Sequence, residues 1–183
     1  MPRRRSARQR RTASRRTLVV FLVALAGGAL LTMWLWDWFS SPDIVARVLF
    51  CETANCTPAE RLLVAGLMKN RIGHPAFGNS SSLRDVVEQP GAFSCVGDDD
   101  NGNWAKTRHL SSLTAVEQRI WRECLVLANE DIPAAVGPSG RPLVFYHDRS
   151  IHKPKSWDGD TWHAVPELTT AHFVFYSIVP ARN

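Results

Sequence analysis

An unbroken run of twenty uncharged residues, from Thr17 to Trp36, divides the chain into parts suited to different surroundings. A helix of that length spans roughly 30 Å, enough to cross the hydrocarbon core of a bilayer. Residues 1–16 before it hold eight arginines and no acidic residue. Since basic flanks stay in the cytoplasm, we expect a basic cytoplasmic tail over residues 1–16, a transmembrane helix over residues 17–36 and an extracytoplasmic domain over residues 37–183.

A cleaved signal peptide is the alternative interpretation of the same segment. Its apolar run is longer than the core of about 7–15 residues that signal peptides use, and no small-x-small cleavage site follows it. The sequence therefore favours a single-span anchor that stays attached to the domain.

The net positive charge of the chain comes from its N-terminal tail. The whole sequence has 22 basic and 17 acidic residues, and without the eight tail arginines 14 basic and 17 acidic residues remain. The outer domain is thus slightly acidic and offers no basic patch for phosphate groups. This excludes nucleic acid as an expected partner. Residues 37–183 have the length of one ordinary domain with its own core.

All four cysteines lie in the outer domain, at Cys51, Cys56, Cys95 and Cys124. On the oxidising side of a membrane an even number predicts two disulfides, for which three connectivities are open. Cys51 and Cys56 are close enough in sequence to bridge each other or to reach distant partners, and free buried thiols are the alternative. The spacing matches no zinc motif, and the acidic loop 98–103 fails the calcium-loop register. The sequence predicts no metal and no cofactor.

Capping signals predict four helices. They run from Ser41 to about Thr53, from the capping box Thr57–Glu60 to a stop at residues 73–75, over 83–88, and from the capping box Thr114–Glu117 to about Asn129. Two aromatic and β-branched runs, 143–147 and 173–178, predict strands. A polar loop with Trp157 and Trp162 is expected between them. The fold class is therefore α+β, mainly α, with a small terminal β element.

Glu52 lies on the apolar stripe of the first helix, following Ile44 and Val48 at helical spacing. Burial raises the pKa of a carboxyl group, so that it can hold a proton at neutral pH and give it to a leaving oxygen. Cleavage of a glycosidic bond needs such a group. The alternative is that Glu52 ends the helix, faces a loop and stays solvated.

Four blocks of the sequence resemble the SleB-type cell wall hydrolases, which include the spore cortex-lytic enzymes. These blocks are residues 46–52, residues 64–71 (VAGLMKNR), residues 88–94 (EQPGAFS), and the aromatic runs 143–147 and 172–176. The ungapped spacing from Glu52 to Asn70-Arg71 and the Gln-Pro-Gly-x-Phe-Ser block are the most specific of these.

The resemblance implies a lysozyme-like fold and cleavage of the β-1,4 bond between N-acetylmuramic acid (MurNAc) and N-acetylglucosamine (GlcNAc) in peptidoglycan. It assigns the catalytic acid to Glu52. Together with the arginine block before the apolar run, it leads us to expect the domain on the outer side of a bacterial inner membrane. The family usually has a second acid in a Gly-Glu pair, where this chain has Asn55 and Cys56. A lytic transglycosylase can work with one carboxylate, so we interpret the missing acid as structural.

Together, the four blocks and the loop tryptophans supply the candidate substrate-binding residues. These are Asn70, Gln89, Phe93, Ser94, Tyr146, His147 and Trp157. The alternative interpretation of Asn70 is a hydrogen-bonded amide of the core or a helix C-cap. Gln89 and Ser94 flank a tight Pro-Gly turn and could instead serve to form that turn. The loop aspartates Asp148, Asp158 and Asp160 are candidates for an unrecognised second carboxylate.

The function predicted from the sequence is a membrane-anchored enzyme that cleaves peptidoglycan glycan strands, with a lytic transglycosylase mechanism. One alternative is a phage-type endolysin whose anchor is released from the membrane. The other is a glycan-binding module without catalytic activity, which the missing second acid would favour.

Overall fold

The computed structural model describes residues 44–98 and 100–181, together with Gly27, Gly28 and Thr32. The chain divides into two units, Met1–Ser41 and Pro42–Asn183, and the second contains everything described below. The predicted basic tail, and all of the predicted span except those three residues, lie outside the described part. Within the described residues no helix is both long and apolar enough to cross a bilayer.

Five α-helices occur in the described part of the second unit, and they include the four predicted ones, although the predicted start of the first at Ser41 lies outside the described residues. Helix α1 covers residues 44–53, and the others are α2 (Pro58–Asn70), α3 (Leu83–Glu88), α4 (Gly102–Lys106) and α5 (Ala115–Asn129). Both predicted capping boxes are formed, with Thr57 at the start of α2 and Thr114 at the start of α5. The short helix α4 was not predicted, because its first residues continue an Asp/Asn/Gly-rich segment that is typical of loops.

Three antiparallel strands form a small sheet in the order β1-β3-β2. They are β1 (Phe145–Asp148), β2 (Trp162–Thr169) and β3 (Phe173–Pro180). The prediction of a loop between the two aromatic runs was wrong for β2, because Pro166 and Glu167 interrupt its β pattern. Proline is tolerated there since β2 is an edge strand, and a bulge between Pro166 and Leu168 leaves Glu167 outside the register.

The described residues of the domain form two hydrophobic clusters, and β1 contributes to both. The larger one is built on α1, α2 and the middle of β3, with Leu49, Leu67 and Phe175 fully buried. Phe145 belongs to the smaller cluster, whereas Tyr146 packs against the larger one. Alternate residues of a strand point to opposite faces, so β1 presents different side chains to the two clusters.

The two predicted disulfides are not formed, since Cys51, Cys56, Cys95 and Cys124 are all free thiols. Cys95 and Cys124 are buried in the larger cluster. Burial raises the pKa of Cys124 to about 12 and that of Cys56 to about 11. The thiolate is the form that attacks a disulfide, so in the absence of a bound cation burial lowers the reactivity of Cys56 and Cys124.

At Gly66 the helix α2 lies close to the backbone of the segment after α5. A Cβ added to Gly66 would lie 2.7 Å from the carbonyl oxygen of Pro133 and 2.8 Å from the amide nitrogen of Ala135. Both are backbone atoms, which cannot rotate away.

We expect Gly66→Ala to lower the free energy of unfolding by about 1–3 kcal/mol, measured by thermal or urea unfolding. The control is Gly102→Ala, where a Cβ meets nothing within 4 Å; equal stability of the two variants would contradict the expectation.

Candidate active site

A cavity of about 150 Å³ opens beside the last turn of α1. Glu52 lines it, together with Cys56 from the following turn, Asn103 from α4, Asp148 from β1 and His172 from the turn before β3. Four separate segments therefore meet around the glutamate that the sequence analysis singled out.

Tyr146 fixes one oxygen of the Glu52 carboxylate. The Tyr146 hydroxyl donates a hydrogen bond of 2.8 Å to Oε2 of Glu52, which is half-buried. Burial, and then the charge of Glu52, raise the pKa of Tyr146 well above its ordinary value. The phenol consequently stays protonated and acts as a donor throughout the physiological range.

The buried guanidinium of Arg71 is a cation that interacts electrostatically with Tyr146 and Glu52. Arg71 follows the end of α2, is 5% exposed, and donates from Nε to the carbonyl oxygen of Val144 at 2.9 Å. Its guanidinium carbon lies 4.7 Å from the ring centre of Phe77 and 5.2 Å from that of Phe93. Burial lowers the pKa of Arg71 to about 10, while Tyr146 and Glu52 oppose the shift. Arg71 therefore stays charged, and its charge is favoured by Tyr146 and Glu52.

Asp148 brings a second carboxylate to the cavity. It lies two residues after Tyr146 in β1, so both side chains point to the same face of the strand. The Ser150 amide donates 2.7 Å to its Oδ1, and hydrogen bonds from Ser150 lower the pKa of Asp148. Asp158 instead pairs with Lys153 at 2.8 Å. Among the loop aspartates that the sequence analysis named, Asp148 is the one that lines this cavity within the described residues.

His147 and Trp157 belong to the other face of β1. The His147 ring Nε2 lies 2.8 Å from the Tyr176 hydroxyl, and Nδ1 lies 2.6 Å from the Asp148 carbonyl oxygen. Trp157 stacks on Phe145 with ring centres 4.6 Å apart. Neither residue lines the cavity with Glu52, and their role in substrate binding stays a prediction.

The remaining predicted site residues lie in different surroundings. Asn70 donates both side-chain N–H groups inside the fold, to the carbonyl oxygens of Ala135 at 2.7 Å and Leu143 at 2.8 Å. Phe93 is buried beneath Arg71, Gln89 follows the end of α3, and Ser94 is exposed. No contact of these four residues with Glu52 is found among the described contacts, so their substrate-binding role also stays a prediction.

Sequence reasoning missed three residues that line the cavity. Cys56 was considered as a disulfide partner, as a free thiol and as the residue in place of the family's second acid, but not as a lining residue. Asn103 fell in a segment that was predicted to be a loop, and His172 entered only through the least specific resemblance block. Asp148 lies two residues after Tyr146, so strand alternation would have indicated that both side chains face the same side of β1. The placement of His172 depends on a contact with Glu60 across 112 residues, for which the sequence carries no local signal.

Tyr146→Phe tests the hydrogen bond to Glu52. The change removes the phenol oxygen and leaves the ring packing against Phe173 and Phe175. If Glu52 is catalytic, we expect a rate of peptidoglycan cleavage lower by roughly ten- to hundredfold, because a hydrogen bond to a charged group contributes about 1.5–3 kcal/mol. The measurement is the initial rate of muropeptide release. A rate equal to that of the parent would show that this hydrogen bond does not position the carboxylate.

Comparison with protein families identifies a relationship for most of the domain. The family model described as Cell Wall Hydrolase matches residues 57–176. This range includes Tyr146, Asp148 and His172 and begins after Glu52. No curated protein and no solved structure matches the chain. The lysozyme-like fold therefore stays a prediction.

Proposed function

The chain belongs to the cell wall hydrolase family, and from this premise we propose that it cleaves the MurNAc–GlcNAc β-1,4 bond of peptidoglycan, with Glu52 as general acid and base. The observation that carries the proposal is the position of Glu52 in the cavity, with one carboxylate oxygen held by Tyr146 at 2.8 Å. A catalytic carboxylate must be fixed within hydrogen-bond reach of the proton it transfers.

The proposed mechanism is that of a lytic transglycosylase. Protonated Glu52 gives its proton to the glycosidic oxygen as the bond to C1 of MurNAc breaks. The resulting carboxylate then accepts the proton of the C6 hydroxyl as that oxygen attacks C1. The product has a 1,6-anhydro ring, and neither water nor a second acid takes part. Tyr146 holds Oε2, which leaves Oε1 of Glu52 for the transferred proton.

Asp148 supports a second candidate, a hydrolase. Its carboxylate lines the same cavity as Glu52, and inverting glycosidases use one carboxylic acid with one carboxylate that activates water. In this mechanism the product is a reducing MurNAc end, and Asp148→Asn is inactive.

Product analysis separates the two mechanisms. Purified sacculi are digested with the full-length protein or with Asp148→Asn, reduced with borohydride and analysed by mass spectrometry. Borohydride reduces hydrolytic MurNAc ends and leaves anhydro ends unchanged. We expect anhydro ends from both proteins. Reducible ends that disappear in Asp148→Asn would establish the hydrolase instead, and the absence of any product would leave the glycan-binding module as the function.

We also propose that residues 17–36 anchor the domain to the outer face of a bacterial inner membrane. Support comes from the uncharged run and the arginine block before it. The test is fractionation of cells followed by carbonate extraction. The protein is expected to stay in the membrane pellet at all times, whereas its later appearance in the soluble periplasm would favour an endolysin with a releasable anchor.

A further inference from the structure

Three ligating side chains from separate segments converge at the edge of the Glu52 cavity. The sulfur of Cys56, a carboxylate oxygen of Glu60 and a ring nitrogen of His172 all lie within 4.8 Å of one another. Cys56 precedes α2, Glu60 lies in the first turn of α2, and His172 precedes β3. We propose that these three residues form a binding site for a soft divalent cation, with Zn²⁺ as the ion that fits best.

The three ligands are held in place by contacts outside the cluster. Arg61 donates to the carbonyl oxygen of Cys56 at 3.3 Å. The capping box fixes Glu60, whose Oε2 accepts from the Thr57 amide at 3.0 Å. The other oxygen, Oε1, accepts from the His172 amide at 3.0 Å. Such supporting hydrogen bonds orient metal ligands before the ion binds.

Electrostatics at the cluster favour a cation. The Glu60 carboxylate is 3% exposed, and its oxygens accept hydrogen bonds from Thr57 and His172, so it is a buried acceptor group. This buried carboxylate lies within 4.8 Å of the Cys56 sulfur. A divalent ion would compensate the charge of Glu60 and stabilise the thiolate of Cys56 together.

The donor set selects the type of ion. Thiolate and imidazole ligands suit zinc, whereas magnesium and calcium require oxygen ligands. Binding forms one bond each to Cys56, His172 and Glu60. The Cys56 thiol releases one proton to solvent. In the free protein Nδ1–H of His172 donates to Glu60 at 3.0 Å. On binding, the ring changes tautomer, with Nδ1 losing its proton and Nε2 gaining one, so that Nδ1 exchanges this contact for the ion. Three protein ligands leave a fourth position for water.

The site would connect the turn after Glu52 to the β2–β3 hairpin. Cys56 and His172 line the same cavity as Glu52, so a bound ion would fix both sides of that cavity. Local sequence spacing could not reveal such a site, because His172 is 112 residues from Glu60. The proposal does not depend on glycosidase activity and holds equally for a glycan-binding module.

The test is zinc binding by the purified, reduced full-length protein, measured by competition with a chromophoric chelator. We expect one zinc per chain, and at least tenfold weaker binding in Cys56→Ala and in His172→Gln. The matched controls are Cys124→Ala and His152→Gln, which remove a thiol and an imidazole outside the cluster and should bind as the parent does. His172 has a side chain 40% exposed, so His172→Gln is expected to fold even if Cys56→Ala does not.

Cobalt substitution supplies a second readout. Co²⁺ in the parent protein should show a thiolate charge-transfer band, which is kept in Cys124→Ala and lost in Cys56→Ala. The proposal is overturned if the parent binds no stoichiometric zinc, if binding survives in both cluster variants, or if the cobalt complex lacks the thiolate band.

Discussion

Glu52→Gln is expected to lower the rate of sacculus cleavage by roughly a thousandfold, within the range of about 10²–10⁴ for loss of a general acid or base. The amide keeps the shape of the side chain and can still accept the Tyr146 hydrogen bond of 2.8 Å. It can neither give a proton to the glycosidic oxygen nor accept one from the C6 hydroxyl. The measurement is the initial loss of turbidity of a sacculus suspension.

Glu130→Gln is the matched control, because Glu130 is an exposed carboxylate that follows α5. It should cleave sacculi at the parent rate. A Glu52→Gln protein that keeps more than about a tenth of the parent rate would fall outside the range for an acid or base and would remove Glu52 from the mechanism.

Arg61→Met should cause the largest loss of stability of any single change considered for this domain. The Arg61 guanidinium is buried at 2% exposure and donates to the carbonyl oxygens of Thr53 at 2.5 Å and Cys56 at 3.3 Å. These acceptors lie at the end of α1 and in the following turn. Removing a donor from a buried acceptor costs about 1–3 kcal/mol, so we expect a loss of about 2–4 kcal/mol in the free energy of unfolding. The measurement is urea unfolding of the full-length protein.

The ion pair of Arg61 with Glu123 adds little to this expectation. Its atoms are 3.3 Å apart, but the Glu123 side chain is 37% exposed and is solvated when the arginine is removed. Arg122→Met on the exposed face of α5 is the control and should change stability by less than about 0.5 kcal/mol. If the two variants unfold at the same urea concentration, the backbone contacts of Arg61 are not what holds the turn after Glu52.

The helices of this domain were predictable because capping residues close by in the sequence mark where they begin. Thr57 and Thr114 each pair with a glutamate three residues later, and both capping boxes form as expected. Strand β2 was not predictable in the same way. Its Pro166 is acceptable only because the strand lies at the sheet edge, and edge position is a property of the sheet rather than of the segment.

The site was only partly predictable, for a similar reason. Helical periodicity was enough to single out Glu52, and the aromatic run marked the strand that carries Tyr146. Their hydrogen bond joins residues 94 positions apart, and which face of β1 meets α1 depends on packing. Strand alternation then places Asp148 beside Glu52 and directs His147 to the second cluster, whereas sequence reasoning had grouped His147 with Tyr146.

Mass spectrometry of the soluble products from sacculi treated with the parent or with Glu52→Gln tests the central claim most directly. The account predicts muropeptides with 1,6-anhydro-MurNAc ends from the parent and none from Glu52→Gln. Equal amounts from both proteins would contradict the role of Glu52. Stem peptides released from intact glycan strands would contradict cleavage of the MurNAc–GlcNAc bond itself.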